Sequence, residues 1–233
     1  MLKVRIFTLY PDLFPGVLDS GIYKKAKEKK IWDLEIINIR DYAKDKHGTV
    51  DDTPFGGGNG MLLRADILAN ALDDNINFKA KEKNIFLSPK GKNFSQEEAK
   101  NLSKEKQINI ICGHFEGVDQ RLLETRDIEE LSIGDFILSG GETASYVFLD
   151  AILRLLPNVL GNDLSTKDES FENILLEYPQ YTKPQKWEEK EVPEVLLSGD
   201  HAKIKGWRLS QSEAITRRQR PDLWDKYIKK NKK

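Results

Sequence analysis

Residues 84–113 read NIFLSPKGKNFSQEEAKNLSKEKQINIICG, and in this stretch two short apolar runs flank a charged segment. The runs, NIFL at 84–87 and INIICG at 108–113, are typical of short strands. Ser95 stands three residues before Glu98, which is the capping-box pattern that begins a helix. The stretch therefore predicts two strands connected by a helix.

The same unit opens the chain. LKVRIFTLY at 2–10 and LEIINI at 34–39 predict strands, and apolar residues from Leu13 to Ala26 recur between them at helical spacing. Apolar residues also lie on one helical face from Glu142 to Leu156, where Pro157 ends the helix. Strands that alternate with helices predict an α/β fold with a parallel sheet.

The composition excludes several classes of protein. The chain has 233 residues, 39% hydrophobic and 32% charged, which suits one large or two modest globular domains. No apolar run approaches the ~20 residues of a membrane-spanning helix, and the N-terminal segment lacks the apolar core of a signal peptide. We therefore expect a cytoplasmic protein with no membrane association. Cys112 is the only cysteine, which excludes an internal disulfide and any multi-cysteine zinc site.

Charge is distributed unevenly along the chain. Residues 201–233 contain 11 Lys and Arg against 3 Asp and Glu, although the net charge of the whole chain is −1. Apolar residues between the basic ones predict a small helical domain there, whereas residues 160–193 show little periodicity and predict a linker. The basic end is equally consistent with binding a polyanion such as RNA and with a solvated tail.

Four loops carry glycine where a strand should lead into a helix. They are PFGGGNG (54–60), LSPKG (87–91), CGHFEG (112–117) and SIGDFILSGGE (132–142). Each alone is consistent with an ordinary turn. Glycine lets a backbone approach a ligand closely, and ligands of open α/β sheets lie beyond the carboxyl ends of the strands. Three such loops that converge after parallel strands would make a pocket lined largely by backbone groups, although the loops match neither the GxGxxG fingerprint nor the phosphate-binding P-loop.

Seven motifs follow one another over nearly the whole chain: VDDTPFGGGNGM, LSPKG, ICGHFEGVDQR, SIGDFILSGGE, LGNDLSTKDESF, YPQYTKP and VPEVLLSGDHAKIKGWR. In this combination the chain resembles the bacterial tRNA (guanine-N1)-methyltransferases, which modify the guanosine 3′ to the anticodon (tRNA position 37). The resemblance implies a SPOUT-class fold with a deep trefoil knot, and an obligate homodimer. It also implies a knotted cofactor-binding domain at 1–160, a linker with the catalytic acid at 161–175, and a helical, basic tRNA-binding domain at 176–233.

The resemblance further implies that S-adenosylmethionine is bound within the knot. The residues that match the cofactor-binding positions are Phe86, Leu87, Ser88, Pro89, Gly113, Phe115, Glu116, Gly117, Ile133, Gly134, Asp135, Phe136, Ile137, Leu138, Gly140 and Gly141. Because the sulfonium of the cofactor is cationic, a carboxylate such as Glu116 or Asp135 would favour its binding.

Methylation of guanine N1 requires a base for the N1 proton and a positive group for the charge that develops on O6. The resemblance assigns the positive group to Arg154. It places the base in the linker, where the family usually has an acid, Asp, Ser and Phe but this chain has Asp168, Glu169, Ser170 and Phe171. Glu169 therefore occupies the position of the base, and Asp168 is the alternative.

For the substrate, the resemblance implies that Ser165 contacts the target guanine and that the loop with His47 and Asp51 approaches the active site of the other subunit. In the basic C-terminal domain, Arg208 can hold the RNA phosphates. No metal-binding cluster is recognisable, so magnesium would enter only with RNA or cofactor, as in the family. Two other functions fit the same residues. One is a non-catalytic, knotted RNA-binding protein, and the other is a methyltransferase of the same class that acts on another RNA.

Overall fold

A computed structural model describes residues 1–161 and 169–231 of the chain. Its strands are Leu2–Thr8 (β1), Trp32–Asn38 (β2), Asp51–Asp52 (β3), Leu62–Leu63 (β4), Lys83–Asn93 (β5), Gln107–Cys112 (β6), Glu129–Ser132 (β7), Lys186–Trp187 (β8) and Lys190–Glu191 (β9). Its α-helices are Gly21–Glu28 (α1), Ala65–Asn75 (α2), Gln96–Leu102 (α3), Gln120–Thr125 (α4), Gly141–Leu153 (α5), Glu194–Leu197 (α6), His201–Gln219 (α7) and Pro221–Asn231 (α8). None of these helices is long and apolar enough to cross a membrane.

Five strands form one sheet in the order β2-β1-β6-β5-β7, and every neighbouring pair is parallel. Two apolar clusters cover its two faces. One cluster includes Val4 and Ile6 of β1 and packs against α3 and α5, and the other includes Phe7 of the same strand and packs against α2. Burial on both faces explains why the strands are continuous apolar runs. The predicted α/β fold with a parallel sheet is confirmed.

The predicted helix after the capping box is also confirmed. The side chain of Ser95 accepts a hydrogen bond from the backbone N–H of Glu98 at 3.3 Å, at the start of α3. The carboxylate of Glu98 accepts a hydrogen bond from Lys92 Nζ at 3.0 Å, which fastens the helix to the end of β5.

The helix between β1 and β2 begins later than its apolar spacing predicts. Two short 3-10 turns, Pro11–Leu13 and Gly16–Asp19, occupy the first part of the predicted helix. Gly16 has a φ of +52°, a left-handed conformation that a regular helix does not contain. The prediction is therefore wrong before Gly21, although α1 itself forms.

The chain divides into two compact units, Met1–Asp163 and Leu164–Lys233. In the second unit, Asp200 caps α7 by accepting hydrogen bonds from the backbone N–H groups of Ala202 and Lys203, both at 3.1 Å. The buried hydroxyl of Thr216 on α7 accepts a hydrogen bond from the backbone N–H of Leu176 at 2.8 Å. This bond holds the segment around Leu176 against the long helix.

Candidate active site

The middle of β5, where the pairing with β7 shifts between Leu87 and Lys92, and the loops after β6 and β7 enclose a cavity of about 530 Å³. The prediction that LSPKG is a loop after a strand is therefore wrong, because these residues lie within β5. Parallel strands place their carboxyl ends on one edge of the sheet, which explains why loops distant in sequence meet there. The cavity is lined by every residue predicted to bind the cofactor except Asp135, which is exposed and outside the lining. Of Glu116 and Asp135, the two carboxylates predicted to favour sulfonium binding, only Glu116 therefore lines the cavity.

Two of these loops touch through their backbones. The Gly141 N–H donates a hydrogen bond to the Gly113 carbonyl at 2.8 Å. A Cβ atom on Gly141 would lie 2.7 Å from Cα of Cys112, so only glycine fits between α5 and the end of β6. The sequence folds in this way because glycine is present where the two main chains meet.

A third segment closes the cavity beside Glu116. The backbone N–H of Glu116 donates to the Met61 carbonyl at 2.9 Å, and the N–H of Leu63 donates to the Gly117 carbonyl at 3.0 Å. Leu62 thereby joins the lining. The PFGGGNG loop runs between two cavities. Pro54 and Phe55 line a neighbouring cavity of about 660 Å³, whereas Gly60 packs against Glu116, whose Cγ would lie 2.5 Å from an added Cβ atom.

Strained backbone also marks the cavity wall. Phe115 has a φ of 59°, which side chains other than glycine rarely adopt. Such conformations persist only where the surrounding structure fixes them, and they concentrate at ligand sites.

Sequence reasoning missed several groups at or near the cavity. His114 lines it and packs against Tyr10, with the ring centroids 4.9 Å apart and the ring planes tilted by 49°. Behind the wall, Glu142 is only 4% exposed and accepts a hydrogen bond from the Thr8 hydroxyl at 2.7 Å. Burial and, to a smaller extent, the Glu142 charge raise the pKa of the Cys112 thiol well above its ordinary value, so the thiol remains protonated. His114 lies inside the quoted CGHFEG motif, but nothing in the sequence signals the burial of Glu142.

The predicted catalytic residues occupy different places in the chain. Arg154 is the C-cap of α5, half-buried, with φ and ψ of −65° and −17°. Glu169 belongs to the second unit and begins a turn, in which its carbonyl accepts a hydrogen bond from the Glu172 N–H at 3.3 Å. Asp168 and Ser165, which are also predicted site residues, lie outside the described residues.

The remaining predicted substrate residues do not line the cavity. The backbone N–H of His47 donates to Asp45 at 2.8 Å in an exposed loop, and Asp51 begins β3 after that loop. Arg208 lies on α7 of the second unit, with its guanidinium carbon 4.7 Å from the centre of the Tyr178 ring. Among the described residues, no group of three or more His, Cys, Asp or Glu could hold a metal ion.

A parallel α/β sheet with a backbone-walled cavity at its carboxyl edge defines an α/β protein built to hold a small organic ligand. The chain belongs to the tRNA (Guanine-1)-methyltransferase TrmD family, whose model matches residues 2–226.

Relatives cover the same length. The chain is 71% identical to a tRNA (guanine-N(1)-)-methyltransferase of Pelagibacter ubique, over 98% of this chain and 100% of that protein. It is 53% identical to a protein of the same name from Bartonella tribocorum, over 99% and 98% of the two chains. A third protein of that name, from Mesorhizobium japonicum, is 53% identical over 95% of each chain.

Proposed function

We propose that this chain transfers the methyl group of S-adenosylmethionine to N1 of the guanine immediately 3′ of the anticodon in tRNA, at position 37. The observation that carries the proposal is the family match over residues 2–226, because it includes the cavity loops, the linker and the basic C-terminal unit together. The shared name of the full-length relatives supports the same reaction.

The cavity fits the cofactor in size and chemistry. Pockets of about 300–1,000 Å³ with apolar walls and a few fixed polar groups suit ligands of this kind, and this cavity measures about 530 Å³. Leu87, Ile133 and Leu138 supply apolar surface, and the backbone groups near Gly113 and Gly140 supply hydrogen bonds of fixed direction. When bound, S-adenosylmethionine supplies an activated methyl group on a positively charged sulfur. Glu116 favours that charge electrostatically.

Two groups of the chain act on the guanine. Glu169 accepts the N1 proton, since Ser170 and Phe171 fix its register in the motif. Arg154 stabilises the negative charge on O6, for which a planar guanidinium is well suited. Glu169→Gln and Asp168→Asn decide between the two candidate bases, because substitution of the true base lowers turnover about 100-fold or more while cofactor binding persists.

The same proposal includes a trefoil knot in the first unit. A trefoil knot is supported by the tight passage of β5 beside β7, where Leu131 is opposite both Leu87 and Lys92. A Cβ atom on Gly91 would lie 2.4 Å from the carbonyl carbon of Glu130, so the two main chains touch.

A homodimer is supported by exposed apolar residues on one face of the first unit. Leu13 is 51% exposed, Val17 61% and Val147 54%, and the hydroxyl of Tyr146 donates to the Leu13 carbonyl, which brings these segments together. Exposed apolar clusters are typical of association surfaces. Sedimentation velocity is expected to give twice the chain mass for the wild type and the chain mass for Val147→Asp.

The tRNA is bound through the second unit, in the cytoplasm. Basic residues follow one another along α7 and α8, where they neutralise phosphates and release counterions. They include Lys203, Lys205, Arg208, Arg217 and Arg218. Ser165 contacts the guanine, which must leave its stack to enter the site. The loop with His47 and Asp51 approaches the active site of the other subunit. Any magnesium arrives with the tRNA or the cofactor.

The test uses labelled S-adenosylmethionine and two tRNA transcripts that differ only at position 37, guanosine in one and adenosine in the other. Label in the first transcript alone is expected. Label in both would place the methyl group elsewhere. Label in neither, with the cofactor bound, would favour the non-catalytic RNA-binding alternative.

A further inference from the structure

A tyrosine on α1 reaches across to the helix that carries Arg154. The hydroxyl of Tyr23 donates a hydrogen bond to the carboxylate of Asp150, although 127 residues separate the two in sequence. The Tyr23 ring packs against the apolar core beneath the sheet. Its backbone carbonyl accepts a hydrogen bond at 2.9 Å from Nε1 of Trp32, a fully buried residue. Tyr23 is therefore fixed at both its ring and its main chain.

Asp150 lies one helical turn before Arg154. The Arg154 backbone keeps helical angles, and its N–H donates to the Asp150 carbonyl at 3.4 Å. Residues four positions apart on a helix share one face, so the side chains of Asp150 and Arg154 project from the same side of the chain at the end of α5. An acid followed four residues later by a base is the favourable order for such a pair.

The electrostatics of Tyr23 agree with this placement. Burial and the Asp150 carboxylate raise the pKa of Tyr23, whereas the positive charge of Arg154 acts on it in the opposite direction. The hydroxyl therefore remains protonated and donates to Asp150 throughout the working range of pH.

We propose that Tyr23 and Asp150 are positioning residues that orient the Arg154 guanidinium for its action on the substrate. The inference rests on the proposed role of Arg154. Tyr23 holds Asp150 in one orientation, and the fixed carboxylate in turn restricts the long, flexible Arg154 side chain. Neither Tyr23 nor Asp150 contacts the reacting atoms.

The first test is Tyr23→Phe, which removes one hydroxyl and keeps the ring in the core. With saturating cofactor and tRNA, the single-turnover rate is expected to fall about 5- to 20-fold, because small displacements of a catalytic group are costly. The dissociation constant of S-adenosylmethionine stays within about twofold. Asp150→Asn has the same effect on the rate.

The matched control is Tyr42→Phe. It also removes a tyrosine hydroxyl from the first unit, one that accepts a hydrogen bond from Asn75 Nδ2 at 2.6 Å on the opposite side of the sheet. Its single-turnover rate is expected to equal that of the wild type. An equal loss in Tyr42→Phe and Tyr23→Phe would mean general destabilisation and would overturn the proposal.

The decisive measurement adds Tyr23→Phe to an Arg154→Ala background. If Tyr23 acts through Arg154, the second substitution changes the remaining rate by less than about twofold. A further loss as large as that in the wild-type background overturns the proposal. Failure of the proposed role of Arg154 can be told apart from failure of the positioning role of Tyr23 and Asp150. A wild-type rate in Arg154→Ala removes the role of Arg154 itself, whereas a slow Arg154→Ala with a normal Tyr23→Phe removes only the positioning role.

Discussion

Gly141→Ala should separate the loop after β6 from the loop after β7, which touch at Gly113 and Gly141. An added Cβ atom would lie 2.7 Å from Cα of Cys112 and 2.9 Å from the backbone nitrogen of Gly113. Cys112 is the last residue of β6 and Gly113 follows it directly. Strand β6 lies between β1 and β5 in the sheet and cannot move away. Helix α5 must shift instead, and the 2.8 Å hydrogen bond from Gly141 to Gly113 lengthens.

The magnitude follows from these two losses. Overpacking costs about 1–3 kcal/mol, and the weakened hydrogen bond adds about 1 kcal/mol. The free energy of unfolding should therefore fall by about 2–4 kcal/mol, which lowers the melting temperature of a chain of this size by about 4–16 °C. Because Gly113 and Gly141 both line the cavity, the affinity for S-adenosylmethionine should weaken at least about tenfold.

Scanning calorimetry measures the first effect and isothermal titration calorimetry the second. Gly206→Ala is the matched control, because it makes the same chemical change within α7, where an added Cβ atom has no neighbour within 4 Å. That variant should keep the wild-type cofactor affinity and a melting temperature at or above that of the wild type. Wild-type stability and cofactor affinity in Gly141→Ala would refute the close contact between the loops.

Three other predictions concern single side chains. Glu169→Gln and Arg154→Ala should each lower the single-turnover rate about 100-fold or more with near-normal cofactor affinity, and a normal rate in either would remove that residue from the mechanism. Thr8→Val should lower the free energy of unfolding by about 1–3 kcal/mol in urea titrations, because it leaves the buried Glu142 carboxylate without the Thr8 donor; unchanged stability would contradict the importance of that bond. The unfolded chain ionises Cys112 near pH 8.5, whereas the folded chain keeps it protonated, so its contribution to stability is present below that pH and is lost above it. Melting temperatures between pH 7 and 10 should therefore fall less in Cys112→Ala than in the wild type, and parallel curves would show that the thiol pKa is not raised.

The elements that could be predicted from sequence are those with a strong local signal. The apolar runs of β1 and β6 are buried on both faces of the sheet, so each is visible as a strand without its neighbours. Strand β7 has no such signal, because Glu129 and Glu130 occupy its first half and it pairs only with β5 at the sheet edge. Its pairing is a long-range property that periodicity does not contain.

The cavity shows the same division. Glycines in the motifs indicated which segments would approach a ligand, and the structure brings residues 86–90 of β5 and the loops after β6 and β7 together around one cavity. The side-chain direction within a loop is not fixed by a motif, which is why Asp135 lies outside the lining. The burial of Glu142 depends on Thr8, a residue 134 positions away, so only the folded chain shows it.

The identity of the modified nucleoside tests the proposed reaction most directly. A tRNA transcript with guanosine at position 37 is incubated with the protein and S-adenosylmethionine, digested to nucleosides, and analysed by liquid chromatography with mass spectrometry against authentic standards. The proposed reaction predicts 1-methylguanosine as the sole new nucleoside, at up to one per tRNA. A guanosine methylated on the ribose or at another base nitrogen would contradict it.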